Sequence, residues 1–236
     1  MNTQTPPTII TFVSPKGGVG KSTCCLALAS SLAHKGHSVQ IIDFDQTETL
    51  WRWYSQNPVA QAIPNLTVEK GPDNLEGFVN DIWASRTGFV FIDLAGSLTH
   101  QSLLLAAFAE LTITPSKLNE PDIMEATKLA AQLDSLGKKF GKPIAHRILL
   151  NEVPSASFLP THQIQTLDQL DESHLARFKT LIHTRAAFPE TWLSGTPPHF
   201  ADQTRQTIKK AVEEIDCLTE EFFQTISADN QEREAA

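Results

Sequence analysis

The feature that most constrains this chain is a glycine-rich segment, residues 16–23, which reads Lys-Gly-Gly-Val-Gly-Lys-Ser-Thr. It follows an unbroken β-branched and aromatic run at 8–13, and it precedes apolar positions that recur at helical spacing over residues 21–34. Backbone N–H groups that converge on the first turn of a helix bind phosphate, because the donors point at the anion and the helix dipole adds positive potential. The order of strand, loop and helix therefore predicts a phosphate-binding P-loop.

The side chains of this loop have separate predicted roles. Lys21 would bridge the β- and γ-phosphates of a nucleotide, the Ser22 hydroxyl would bind Mg²⁺, and Thr23 would face the α-phosphate. The glycines let the backbone approach the phosphates closely. The residues of this segment that are predicted to contact ATP are Lys16, Gly17, Gly18, Val19, Gly20, Lys21, Ser22 and Thr23.

The loop departs from the common P-loop pattern at its start. That pattern has a glycine where this chain has Pro15, and the chain instead carries a second lysine, Lys16, upstream of Lys21. This form resembles the signature of the ParA/MinD family. The resemblance implies that two subunits enclose ATP and that Lys16 reaches the nucleotide of the other subunit, where it stabilises charge on the transferring phosphoryl group. A glycine-rich turn that binds nothing is disfavoured, because the expected strand and helix flank the motif.

Two aspartates at the end of the second β-branched run, residues 38–43, extend the predicted site. Asp43 and Asp45 stand at the strand edge where doubly wound sheets place their ligands. The resemblance implies that Asp45 positions or activates the attacking water, so the predicted catalytic residues are Lys16, Lys21 and Asp45. Asp43 would lie behind the Mg²⁺ ion and the loop.

The apolar run at 89–92 ends in Asp93, as in a Walker B element. Alone, such a run is more often an ordinary strand and turn, but with the other motifs in order Asp93 is predicted to hold Mg²⁺ through water. The predicted magnesium site is therefore Ser22, Asp43 and Asp93. Asn151, which follows the apolar run 148–150, is either an adenine contact, as the resemblance implies, or an ordinary turn residue.

Alternating β and α patterns predict a single-domain α/β P-loop NTPase fold, with a doubly wound, mostly parallel sheet flanked by helices on both faces. The predicted strands are 8–13, 38–43, 66–69, 89–92, 111–114, 145–150 and a short one near 178–182, and the predicted helices are 21–34, 74–85, 101–109, 121–140, 163–175 and 201–225. We expect the domain to span residues 8–227, between a disordered lead at 1–7 and a frayed polar tail at 228–236.

The formal net charge of −8 repels nucleic acid and anionic lipid at long range, so any DNA contact must come from a local patch. The predicted DNA-binding residues are Arg205, Lys209 and Lys210, although such residues more often form a solvated helix face. Lys138, Lys139 and Lys142 are equally available. The three cysteines fit no disulfide framework, and the chain lacks a membrane span or signal-peptide core, so we expect a cytoplasmic protein without a membrane partner.

Three further segments narrow the resemblance within the family. Residues 93–97 and 115–126 look like those of small ParA plasmid-partition ATPases and also like those of partition-like proteins that support conjugative DNA transfer. The second similarity includes Asp45 and the segment 49–53 that follows it. The resemblance implies an ATP-dependent homodimer that binds DNA non-specifically and is nucleoid-associated in the ATP state. It also implies slow, Mg²⁺-dependent hydrolysis that an adaptor or centromere-binding protein stimulates.

Other functions of the same fold remain as alternatives. The switch could position a DNA-transfer complex or protein cargo instead of segregating DNA. A ligase of the dethiobiotin-synthetase kind would need its own substrate pocket with a catalytic lysine, for which the sequence offers no clear candidate. A nucleotide-bound scaffold without turnover is argued against by Asp45, and an iron–sulfur reductase by the lack of cysteines between Asp93 and Asn151.

Overall fold

A six-stranded, entirely parallel β-sheet forms the centre of the computed structural model, which describes residues 6–72, 74–75, 77–83, 85, 87–97, 99–155 and 159–235. Its strands are β1 (Thr8–Phe12), β2 (Val39–Asp43), β3 (Leu66–Lys70), β4 (Phe89–Asp93), β5 (Leu111–Lys117) and β6 (His146–Asn151). They lie in the order β3-β2-β4-β1-β5-β6. The chain thus builds the sheet outward in both directions, and the carboxyl end of β1 lies at the switch point where doubly wound sheets bind ligands.

Helices cover both faces of this sheet. They are α1 (Lys21–His34), α2 (Thr49–Ser55), α3 (Pro58–Gln61), α4 (Phe78–Trp83), α5 (His100–Phe108), α6 (Glu120–Phe140), α7 (Thr161–Glu172), α8 (Ala187–Ser194) and α9 (Gln206–Ala235), with a 3₁₀ turn at Pro198–Phe200. Successive strand residues point to opposite faces, so Ile10 packs with α1, α8 and α9, whereas Ile9 packs with α4, α5 and α6. The predicted doubly wound, single-domain fold is confirmed.

Helix α1, which begins at the end of the glycine loop, is enclosed on nearly all sides. Leu28 and Leu32 are fully buried, and α9 packs across the helix, where Thr219 donates a hydrogen bond to Ser31 at 2.8 Å between the hydroxyl oxygens. Cys24 and Cys25 are free and buried in this layer, whereas Cys217 is free and exposed. This packing fixes the first turn of α1 and therefore the loop that precedes it.

The predicted short strand at 178–182 is wrong. This segment runs beside β6 but pairs with the sheet only through isolated bridges at its two ends, Ile148 with Arg177 and Val153 with His183. Its central N–H groups turn to a side chain instead of a neighbouring strand. The backbone N–H groups of residues 179 and 180 donate to the carboxylate of Glu221 in α9, at 2.6 and 3.0 Å, so no continuous ladder forms.

Helices α2, α3 and α8 were not among the predicted elements, because each has only four to eight residues, too few to show a helical period. The last helix also differs at both ends. It begins at Gln206 instead of residue 201, since Asp202 accepts hydrogen bonds from Thr204 in a turn before it, and it continues to Ala235 through the segment predicted as a frayed tail.

Residues 1–5 of the predicted disordered lead lie outside the described part of the chain. No helix within the described ranges is both long enough and apolar enough to cross a membrane.

Candidate nucleotide-binding site

The glycine loop connects the carboxyl end of β1 to the first turn of α1. Gly18 and Gly20 have φ angles of 75° and 84°, in the left-handed region that glycine adopts without strain. In the described part of the chain, no hydrogen-bond acceptor faces the backbone N–H groups of residues 17–23. These unpaired donors at a helix N-terminus form the anion-binding cradle that the sequence predicts.

Two close approaches hold this loop in shape. Asn151, at the end of β6 and 3% exposed, donates its Nδ2–H to the carbonyl oxygen of Val19 at 2.9 Å, and a methyl group at Gly20 would lie 2.0 Å from the same nitrogen. A methyl group at Gly96 would lie 3.2 Å from the backbone nitrogen of Gly17. Gly96 was not among the predicted site residues, although a glycine shortly after a Walker B aspartate is a signal for such an approach.

The buried centre of the site is the pair of Lys21 and Asp93. The Nζ of Lys21 lies 3.1 Å from Oδ1 of Asp93 and the two side chains are 7% and 0% exposed. The Ser22 hydroxyl donates to the other carboxylate oxygen of Asp93 at 2.6 Å. Burial alone would lower the pKa of Lys21, but the negative charges of Asp93 and Asp45 outweigh it, so the pKa is raised and the lysine stays charged.

Asp45 faces the same lysine from the loop after β2. Its Oδ2 lies 3.4 Å from Nζ of Lys21, while its Oδ1 accepts hydrogen bonds from the backbone N–H and the hydroxyl of Thr47 at 2.9 and 2.8 Å. Burial would raise the pKa of Asp45, but the Thr47 hydrogen bonds and the charge of Lys21 lower it below the usual value. Asp45 is therefore an ionised carboxylate at neutral pH. Thr47 was not predicted, although a threonine two residues after an aspartate is a common turn signal.

These contacts bring together a phosphate cradle, a charged lysine, a hydroxyl and two carboxylates at the switch point of the sheet. A model of the CobQ/CobB/MinD/ParA nucleotide-binding domain matches residues 10–230. The chain belongs to this family. The match agrees with the family resemblance carried by the glycine loop, and it identifies the chain as a nucleotide-binding protein of this family.

Known proteins of this family resemble the chain along most of its length. Protein ParA of Rhizobium radiobacter is 23% identical over 226 residues, which cover 93% of this chain and 97% of that protein. Protein VirC1 of the same organism is 26% identical over 193 residues, 76% of this chain and 78% of that protein. A plasmid partition protein of Borrelia burgdorferi B31, solved with AMPPNP, has the same fold, with a TM-score of 0.66 and 18% identity over 92% of this chain and 99% of that chain.

Asp43, the third residue of the predicted magnesium site, supports the loop that follows β2. Its carboxylate accepts hydrogen bonds from the backbone N–H groups of Asp45, Leu50 and Trp51 at 2.9 to 3.0 Å. Leu50 and Trp51 lie in the first turn of α2, so Asp43 satisfies donors that this helix end would otherwise leave unpaired. This arrangement accounts for Asp43 without a metal ion, and its role in binding Mg²⁺ stays a prediction.

The other donors of the predicted magnesium site do fit the ion. The oxygens of Ser22 and Asp93 adjoin each other at 2.6 Å, and oxygen is the ligand that Mg²⁺ prefers. Within the described ranges, no group of three His, Cys, Asp or Glu side chains is arranged to hold a metal by itself. A magnesium ion here would therefore take its remaining ligands from nucleotide phosphates and water, as is usual in nucleotide sites.

Lys16 forms an ion pair with a residue outside the glycine loop. Its Nζ lies 2.6 Å from Oδ1 of Asp122 in the first turn of α6, and the side chain is 40% exposed. Asp122 lies within the segment 115–126, but no role was predicted for it. The structure likewise shows Asn151 contacting the loop, so the predicted adenine contact of that residue stays a prediction.

The predicted DNA-binding residues lie away from the loop, around the start of α9. Arg205 precedes the helix and forms an ion pair with Glu190, at 2.8 Å between nitrogen and oxygen. The N–H of Lys209 donates to the carbonyl oxygen of Arg205, so these two residues lie one turn apart at the start of the helix. Lys210 lines a surface groove together with Lys179, but Glu213 and Glu214 line it too. DNA binding by this patch stays a prediction.

Proposed function

We propose that this chain is an ATP-driven switch in partition or positioning. Two copies enclose two ATP molecules, the resulting homodimer binds DNA without sequence preference, and hydrolysis returns it to monomers that release DNA. The observation that carries the proposal is the buried Lys21–Asp93 pair beside an open cradle of unpaired N–H groups, with Asp45 facing the same lysine. The similarities to ParA and to the partition protein bound to AMPPNP support this choice of nucleotide and process.

Each group at the site has a part in the reaction. The N–H groups of residues 17–23 would bind the phosphates and Lys21 would neutralise their charge. When bound by Ser22 and Asp93, Mg²⁺ would neutralise charge that develops on the β- and γ-phosphates. A water oxygen bonds to the γ-phosphorus as the bond to the bridging oxygen breaks, which gives ADP, inorganic phosphate and a proton. Asp45 would orient this water; with its lowered pKa it is a weak general base.

Lys16 makes the reaction depend on a second copy. Because its side chain pairs with a residue outside its own glycine loop, we propose that it reaches the nucleotide of the other subunit and stabilises charge there, as an arginine finger does. Dimerisation and hydrolysis are then coupled through one residue. An adaptor or centromere-binding protein that stabilises this arrangement would stimulate turnover.

Substitutions at two of the three predicted catalytic positions test the nucleotide switch. Lys16→Ala should abolish ATP-dependent dimerisation and lower phosphate release by at least about 100-fold, while the free energy of unfolding changes by less than about 1 kcal/mol because the ion pair is partly exposed. Asp45→Ala should keep ATP binding and accumulate dimer, because the water is no longer oriented. Sedimentation velocity and phosphate release measure both. Normal dimerisation and turnover in Lys16→Ala would refute the switch.

A gel-shift assay tests the DNA part separately. Wild type with ATP should bind and retard DNA at low salt, and the binding should weaken as the salt concentration rises. With ADP there should be no retardation. In Lys209→Ala and Lys210→Ala, each lost phosphate contact should make the negative slope of log K against log salt shallower by about 0.9. Lys128→Ala, an exposed lysine on α6 outside the candidate set, is the matched control. If instead wild type with ATP does not bind DNA at low salt, the chain is not a DNA-binding switch.

A second candidate is supported by the similarity to VirC1: a partition-like ATPase that positions a DNA-transfer complex or protein cargo. It uses the same dimer switch and differs in the partner. We propose the cytoplasm as the location in both cases, with nucleoid association in the ATP state only for the DNA-binding candidate. The gel shift separates the two, because only a DNA-binding switch needs ATP-dependent retardation.

A further inference from the structure

Asp122 is a fixed acceptor for Lys16 within the same subunit. Its Oδ1 lies 2.6 Å from Nζ of Lys16, and its Oδ2 accepts a hydrogen bond from Nδ2 of Asn119 at 3.1 Å. The backbone N–H of Asp122 donates in turn to Oδ1 of Asn119 at 3.0 Å, which caps the start of α6. The carboxylate is only 11% exposed. It is therefore oriented by the helix end before the lysine arrives.

Lys16 and Asp122 are 106 residues apart in sequence, so this contact exists only because the loop after β1 and the helix after β5 meet at the same edge of the sheet. The lysine side chain remains 40% exposed. An ion pair with one partly exposed member is weak enough to break when a stronger anion is offered. The phosphates of a nucleotide, with several negative charges, are such an anion.

We propose that Asp122 is a positioning residue that holds Lys16 in its own subunit until a second, nucleotide-loaded copy competes for it. The proposal rests on the proposed function, since it assumes that Lys16 crosses to the other subunit. The ion pair then stabilises the monomer, and its strength sets how much nucleotide-loaded protein is needed before dimers form. Asp122 is not catalytic, because it contacts the lysine and not the nucleotide.

The size of the effect follows from linkage. Each dimer breaks two such pairs, one in each subunit. If one partly exposed pair favours the monomer by a factor of about three, the two together favour it by about tenfold. Asp122→Asn removes the charge but keeps an oxygen that can accept the hydrogen bond from Asn119. It should therefore lower the dimer dissociation constant by about tenfold.

The experiment measures this dissociation constant by sedimentation in AMPPNP and Mg²⁺, so that hydrolysis does not remove the dimer. Four proteins are compared: wild type, Asp122→Asn, Asp122→Glu and Glu120→Gln. Asp122→Glu keeps the charge and should stay near wild type. Glu120 lies in the same turn of α6 and, within the described residues, forms no ion pair, so Glu120→Gln removes an equal charge without touching Lys16. ADP binding to each variant reports that the fold and cradle are intact.

Tighter dimers in Asp122→Asn alone support the proposal. Unchanged or weaker dimers in Asp122→Asn would overturn it, and so would equal tightening in Glu120→Gln, which would assign the effect to general charge repulsion. If Asp122→Asn loses ADP binding, Asp122→Ser takes its place, because it also removes the charge on the acceptor of Lys16. It should tighten the dimer, and an unchanged or weaker dimer overturns the proposal. A wild type that stays monomeric would refute the proposed switch itself, which is a separate result.

Discussion

The carboxyl and amino ends of the parallel strands surround their ionisable groups with different partners. At the carboxyl ends of the strands, Lys21 and Asp93 are buried against each other. Burial alone would lower the pKa of Lys21, but the neighbouring carboxylates raise it and keep the lysine charged, whereas burial raises the pKa of Asp93. At the amino ends of the strands, His146 begins β6 beside the hydroxyl of Thr114, with 2.8 Å between Nε2 and Oγ1. Burial lowers the pKa of His146 to about 4. Neighbouring carboxylates keep Lys21 charged despite its burial, whereas His146, beside a neutral hydroxyl, favours the uncharged form. The carboxyl ends of the strands therefore retain a positive charge that can bind phosphates.

The largest test of this contrast removes the counter-charge. Lys21→Ala leaves the fully buried carboxylate of Asp93 without its cation, so we expect the free energy of unfolding to fall by about 4 kcal/mol and nucleotide binding to be lost. Urea unfolding and a nucleotide titration measure the two effects. The control Lys138→Ala breaks an ion pair with Asp134 in which both side chains are well exposed, and it should cost less than about 0.5 kcal/mol. Equal losses in the two variants would remove the distinction between buried and exposed pairs.

The second test asks whether the loop is held by close packing as well as by charge. Gly20 and Gly36 have similar φ angles of 84° and 91°, but a methyl group at Gly20 would lie 2.0 Å from Nδ2 of Asn151, whereas nothing lies within 4 Å of one at Gly36. Gly36→Ala should cost about 1 kcal/mol from backbone strain alone. Gly20→Ala should cost about 3 kcal/mol and weaken nucleotide binding, because Asn151 must move. If the unfolding curves of Gly20→Ala and Gly36→Ala coincide, Asn151 can move aside without a cost in stability.

The test with the smallest expected effect concerns His146 at the amino ends of the strands. The folded protein favours neutral His146, so between pH 4 and 6.5 the unfolded chain binds more protons at this residue and stability rises with pH. As the pH falls from 6.5 to 4, wild type should lose up to about 2 kcal/mol at this site, and His146→Gln should not. The measurement is the difference in unfolding free energy between the two proteins at several pH values. A difference that does not change with pH would contradict a neutral His146 in the folded protein.

Much of the site was predictable from sequence because it consists of short motifs at strand ends. The P-loop, Asp45 and Asp93 each follow a recognisable strand, and parallel strands deliver their carboxyl ends to one edge. The contacts that support the loop were harder to predict from sequence. Asn151 was placed near the nucleotide, but its bond to Val19 joins residues 132 apart, and no local pattern specifies which donor reaches that carbonyl group.

The amino-acid sequence by itself determined the loop, since its glycines and the helix start act through the backbone of consecutive residues. The tertiary structure decided where long side chains go. It pairs Lys16 with Asp122 and directs Glu221 to the segment that was predicted to be a strand. The physical reason is that backbone conformation depends on neighbouring residues, whereas the partner of a charged side chain depends on which elements the fold brings within a few ångströms.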